Sequence, residues 1–237
     1  MRAALLPLGA FAAAVAFAAT GTAAGSPPLL PLPAPDQFGR RIDNPWFPLI
    51  PGTRLTYRGV KDGRSAIDVM TVTSRTQSIA GIGATVVSDR LFEKGRLAER
   101  TTDFYAQDRQ GNVWYLGEDT ATLDRAGKVM SREGSWRTGV GGARAGIFMP
   151  AHPKVGYSAR QEFRAGQAED QFTVASLSAR VSTPAASSRH ALLTVETTAL
   201  EPGVVDHKLY VRGIGTADER TVKGGNEHFT LIAFRRR

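Results

Sequence analysis

The residues best suited to chemistry in this chain are the carboxylates and aromatic groups gathered between Glu99 and Glu118. Side chains alternate between faces along an extended chain. Glu99, Thr101, Asp103 and Tyr105 therefore share one face of a strand, and Ala98, Arg100, Thr102 and Phe104 the other. A reversal through residues 108–112 brings back Trp114, Tyr115 and then Glu118; which of them joins the face of Asp103 depends on a register that the spacing leaves open. Two carboxyl groups about 5 to 9 Å apart would serve acid/base cleavage of a glycosidic bond. Glu133 and His152 are further acid/base candidates, with Tyr105 or Tyr115 as proton carriers. The competing reading is a solvated sheet face with arginines opposite, since charged residues are mostly exposed.

The three tryptophans, Trp46, Trp114 and Trp136, suit stacking on a sugar ring or filling a core equally well. With Tyr105, Tyr115, Phe148 and Met149, Trp114 and Trp136 make up the ligand-binding candidates. Other chemistries are poorly served. There is no Cys, and the four histidines (His152, His190, His207, His228) lack short ligand spacing, so no metal or cofactor is expected. The turns after Asp108 and Asp124 lack the succession of oxygen ligands and final Glu of a calcium loop. Ser135 is not in a nucleophile elbow, and Gly139, Gly141 and Gly142 are not followed by the Lys-Ser/Thr of a phosphate loop.

The elements that must position these groups are strands. A period of two runs through residues 54–60, 66–73, 84–92 and 96–106, and again through 111–117, 121–125, 128–132 and 155–164. It continues through 169–179, 189–199, 204–213, 216–222 and 226–235, segments rich in Val, Thr, Tyr and Phe. Turn chemistry separates them, as in Lys61-Asp62-Gly63, Glu93-Lys94-Gly95 and Lys223-Gly224-Gly225. Short reversals mean antiparallel pairing, and many such strands must curl to cover their edges. The expected fold is all-β: an antiparallel meander forming a curved sheet, half-barrel or barrel. Residues 133–154 are Gly/Pro-rich and carry Trp136, Phe148 and Met149; they are expected to be one long irregular segment acting as a lip or lid.

Residues 1–24 have the layout of a signal peptide: Arg2, an apolar Ala/Leu/Val/Phe run, then Thr22-Ala23-Ala24 as small residues before cleavage. Residues 25–42 hold five prolines and read as a tether, leaving 43–237 as a single β domain. The formal charge is +8, but acidic residues interleave with basic ones and no basic face alternates with aromatics. Nucleic acid is thereby disfavoured, while peripheral attraction to an anionic cell surface remains open.

Several segments resemble a family of uncharacterised exported proteins frequent in actinobacteria. They are Asp43-Asn44-Pro45-Trp46-Phe47-Pro48-Leu49 followed by Pro51-Gly52-Thr53, Glu99-Arg100-Thr101-Thr102-Asp103-Phe104-Tyr105-Ala106-Gln107-Asp108, Gly111-Asn112-Val113-Trp114-Tyr115-Leu116-Gly117-Glu118, Glu133-Gly134-Ser135-Trp136, Gly146-Ile147-Phe148-Met149-Pro150 and Lys208-Leu209-Tyr210-Val211-Arg212-Gly213-Ile214-Gly215. The resemblance implies a curved-sheet envelope protein and an extracytoplasmic address, and no reaction. Sequence alone thus favours a secreted binding protein holding an amphipathic, lipid-like or glycan ligand in the concavity of a curved sheet. The alternative is a small secreted polysaccharide hydrolase or lyase using paired carboxylates.

Overall fold

A computed structural model describes residues 26–236; the expected export leader lies outside the described residues. Fifteen strands form one antiparallel sheet. The first five are long: β1 (Arg54–Lys61), β2 (Arg64–Ile79), β3 (Ile82–Glu93), β4 (Arg96–Gln107) and β5 (Val113–Leu123). Four short ones follow, the middle two from the Gly-rich region: β6 (Val129–Ser131), β7 (Trp136–Arg137), β8 (Arg144–Met149) and β9 (Ser158–Arg160). The rest are β10 (Glu162–Phe163), β11 (Asp170–Ser182), β12 (Ser187–Thr198), β13 (Val205–Val211), β14 (Gly215–Lys223) and β15 (His228–Arg235). Among the described residues the only helical turn is a 3₁₀ turn, Pro35–Gln37.

The sheet order is β10-β8-β5-β4-β3-β2-β1-β15-β14-β13-β12-β11-β9, with β6 and β7 also pairing β5. Consecutive strands joined by tight turns account for most of it. Asp62 and Gly63 (φ 47° and 71°) and Lys94 and Gly95 (φ 50° and 76°) place two left-handed residues at the hairpin tips, the geometry that matches strand twist. The two ends of the order meet in one short stretch. β9 pairs β11 and β10 pairs β8, and between them the Gln161 N–H donates to the Asp170 carbonyl at 2.8 Å. The result is a nearly closed barrel with one seam, which leaves little bare strand edge.

Two large apolar clusters fill most of the molecule, with a small third one of Val181, Ala191, Val211 and Ala217. One joins Leu55, Tyr57, Met70, Tyr105, Tyr115, Trp136, Phe148, Tyr210 and Leu231. The other uses the opposite face of β3 to β5, through Val86, Phe104, Trp114 and Leu116, with Ile147, Ala159, Phe172 and Val174. The proline-rich stretch runs along the barrel: Leu32 and Phe38 pack on the second cluster, Gly39 donates to the Gln107 carbonyl at 2.9 Å, and Ile42 is buried in the first. Residues 133–154 contribute strands β7 and β8 to the wall. There Gly146 lets the Arg160 carbonyl approach where a side chain would stand, with a Cβ only 2.2 Å from that oxygen.

Candidate functional site

The face predicted to carry Glu99, Thr101, Asp103 and Tyr105 turns inward. On β4 and β5, Asp103 lies directly opposite Glu118, Thr101 opposite Thr120 and Tyr105 opposite Tyr115. A bulge makes this set possible. The register shifts between Phe104 and Tyr105, so the inward residues of β5 are Tyr115 and Glu118, three apart instead of two or four. Trp114 falls on the other face with Phe104, where its indole N–H donates to Asp108 Oδ2 at 2.8 Å. Gly117 takes φ 147° at the bulge, and a Cβ there would meet the Trp136 carbonyl at 2.6 Å.

The inner layer is strongly polar. Glu99, Asp103, Glu118, Glu162, Asp170, Glu196, Asp206 and Glu219 are all buried. Tyr115 donates its hydroxyl to Asp103 Oδ1 at 2.8 Å, whereas neither carboxyl oxygen of Glu118 has a hydrogen-bond partner in the protein. Lys208, 1% exposed, reaches Glu196 at 2.8 Å and Glu219 at 3.5 Å. Burial pushes the carboxyls of Asp103, Glu118, Glu162 and Asp170 well above the usual range. Neighbouring carboxylates add to the rise: Asp89 at Asp103, Glu162 at Glu118 and Asp170 at Glu162. Glu219 is lifted to about 8 by burial, with Lys208 pulling the other way. Burial alone would lower Lys208, yet Glu196, Glu219 and Tyr210 together hold it above its ordinary value.

Of the acid/base candidates, Glu99, Asp103 and Glu118 therefore converge, but in a sealed interior where Asp103 and Glu118 are 1% and 0% exposed. Glu133 and His152 stand apart from them, both exposed. The aromatic candidates pack against protein. Tyr105 stacks on Tyr115 at 4.7 Å between ring centroids, with Trp136 edge-on to Tyr115 at 5.3 Å and Phe148 edge-on to Tyr105 at 5.1 Å. Met149 is fully buried beside them. The concave face is thus filled by side chains of the sheet itself. Among the described residues no group of three or more His, Asp or Glu is arranged to hold a metal ion.

An open groove of about 450 Å³ lies at one mouth of the barrel, where the turn after β4 meets the segments following β8 and β13. Pro45, Trp46, Pro153 and Leu177 supply its apolar surface; Asp43, Gln110, His152 and Arg212 supply polar groups. The Arg212 guanidinium sits 5.0 Å from the centre of the Trp46 ring. Asn44 clasps the groove together. Its Nδ2 donates to the Gly111 and Pro150 carbonyls at 2.9 and 3.1 Å, and its Oδ1 accepts from the Trp46 N–H at 2.9 Å. The Gln107 side chain accepts from the backbone N–H groups of Asp43 and Asn44 and donates to the Asp43 carboxylate at 2.7 Å. Of the groove residues, the sequence singles out His152 as an acid/base candidate and Trp46 as a stacking or core side chain. The signal for the turn residues Asp43 to Pro45 is present in Asp43-Asn44-Pro45-Trp46, a turn motif anchored by a buried indole.

No family model matches this chain, and no curated protein matches it. Two solved structures align with it over most of its length. One is a protein from Bacteroides fragilis NCTC 9343 assigned as exported, with a YmcC-like fold. It is 14% identical, and the alignment covers 81% of this chain and 99% of that one with a TM-score of 0.45. The other is a protein from Parabacteroides distasonis ATCC 8503 assigned as a lipoprotein, 8% identical over 81% and 99% of the two chains, with a TM-score of 0.44. Likeness at this level carries no functional argument.

Proposed function

We propose that this is an exported, extracytoplasmic binding protein that takes an amphipathic or glycan ligand in the groove at the barrel mouth. The address is supported by the leader-like residues 1–24 and by the resemblance to exported proteins. The observation that carries the binding role is the make-up of the groove. Apolar surface from Pro45, Pro153 and Leu177, with the largely buried Trp46 beneath Arg212, lies there beside the donors and acceptors of Arg212, Gln110, His152 and Asp43. Barrel mouths are a recurrent place for such sites, and a sugar ring offers the matching pattern of apolar face and hydroxyl rim. The interior carboxylates act as structure in this reading, not as a hydrolytic pair.

Native mass spectrometry of the purified mature protein, followed by calorimetric titration with whatever co-purifies, tests the reading. Arg212→Ala should weaken binding by about three-fold, the loss of one exposed cation that lies over the Trp46 indole. Unchanged affinity in Arg212→Ala and in Gln110→Ala would contradict a site in this groove.

A further inference from the structure

The opposite end of the barrel carries a second concavity, of about 330 Å³, lined by Arg64, Lys94, Arg96 and Arg125 above Leu97 and Leu123. It lies where the β1–β2 and β3–β4 hairpin tips meet the end of β5. Two acids, Glu93 and Asp124, share this rim with the four cations. Glu93 is paired with Arg64 at 3.6 Å, and Asp124 Oδ1 accepts the backbone N–H groups of Ala126 and Lys128 at 2.8 and 2.9 Å. Lys94, Arg96 and Arg125 are exposed and, among the described residues, have no ion-pair partner. Like charges gathered at a concave surface focus field toward an anion, and guanidinium groups present paired N–H donors to carboxylate or phosphate.

We propose that this groove binds an acidic polysaccharide through its carboxylate or phosphate groups, independently of the mouth groove. Shape favours a chain over a membrane. The cations surround a narrow hollow whose floor is the half-buried Leu97 and Leu123, which suits one sugar ring lying flat between charged substituents. The β3–β4 hairpin that carries Lys94 and Arg96 is a tight turn with Lys94 and Gly95 in the left-handed region, which fixes the backbone beneath those two cations.

The test is titration of the full mature chain with polygalacturonate at low salt and at roughly 0.3 M salt. Arg96→Ser/Arg125→Ser should weaken binding by about ten-fold and Lys94→Ser by about three-fold, with far-ultraviolet circular dichroism and melting temperature unchanged. The control pair Arg75→Ser/Arg189→Ser, exposed elsewhere on the sheet, should change it by less than about two-fold. Equal losses in both pairs would mean general charge attraction and overturn the site. So would absence of binding by the parent protein, or binding to phosphatidylglycerol vesicles without binding to the polymer.

Discussion

Asp103 and Glu118 face each other across β4 and β5 inside the barrel, the first held by the Tyr115 hydroxyl at 2.8 Å and the second without a hydrogen-bond partner in the protein. Burial, reinforced by neighbouring carboxylates, raises both carboxyl groups well above the usual range, so each holds a proton more tightly in the fold than in the unfolded chain. Folding at neutral pH must then protonate them, which costs free energy that a neutral isostere avoids. Glu118→Gln is expected to stabilise the protein at pH 7 by about 1 to 3 kcal/mol and to have little effect at pH 4. Urea unfolding at the two pH values checks this; destabilisation at pH 7 would show that Glu118 is needed as an anion.

Glu219 gives the same physics a defined window. Its carboxyl titrates near 4.5 when unfolded and near 8 when folded. Between those values the folded chain holds a proton that the unfolded chain has released. The contribution to stability is therefore complete below about pH 4.5 and is lost as pH rises to 8, at up to about 1.4 kcal/mol per pH unit. Asp103, Glu118, Glu162 and Asp170 shift in the same direction. The urea midpoint should fall steadily from pH 5 to pH 8, and a flat or rising midpoint would refute the neutral interior.

Lys208 is the cation that makes Glu196 and Glu219 tolerable. Lys208→Met removes it and leaves both carboxyl groups buried, at an expected cost of about 3 to 5 kcal/mol. Adding Glu196→Gln and Glu219→Gln to that variant should recover most of the loss, because a neutral layer needs no cation. Failure to recover would assign the cost to packing instead.

The alternation of faces along β4 could be read from the sequence without knowing the fold, as could the hairpin tips at Asp62-Gly63 and Lys94-Gly95. The register of β5 could not. Only the bulge at Gly117 moves Glu118 to the face of Tyr115, and one glycine in a strand does not announce which neighbour it must admit. Residues 133–154 look irregular because Gly134, Gly139, Gly141 and Gly142 take positive φ in turns and Gly146 admits the Arg160 carbonyl; the large side chains between them are wall and core. The proline-rich stretch has the composition of a free linker, yet Leu32, Phe38 and Ile42 give it an apolar side that the barrel covers. Charged residues on the inner face defeat the usual inside-outside rule, and that is why Glu99 and Asp103 looked like a surface or a cleft.

Asn44 ties three segments of the mouth groove with bonds that no neighbouring side chain duplicates. Asn44→Ala should cost about 2 to 3 kcal/mol by stranding the buried Pro150 carbonyl and the Trp46 N–H. Hydrogen exchange should quicken at Trp46 and Phe47 before the rest of the barrel responds. A stability within about 0.5 kcal/mol of the parent would show the groove to be held by other means.

Ligand binding at the mouth is decided by chemical-shift mapping of the labelled protein during titration with neutral, acidic and acylated oligosaccharides. Perturbed signals should gather at Asp43, Asn44, Trp46, Gln107, Gln110, Gly111, His152 and Arg212, the residues that form that groove. A panel that leaves those signals unmoved at about millimolar concentration, or that moves only the hairpin-tip end, would contradict it.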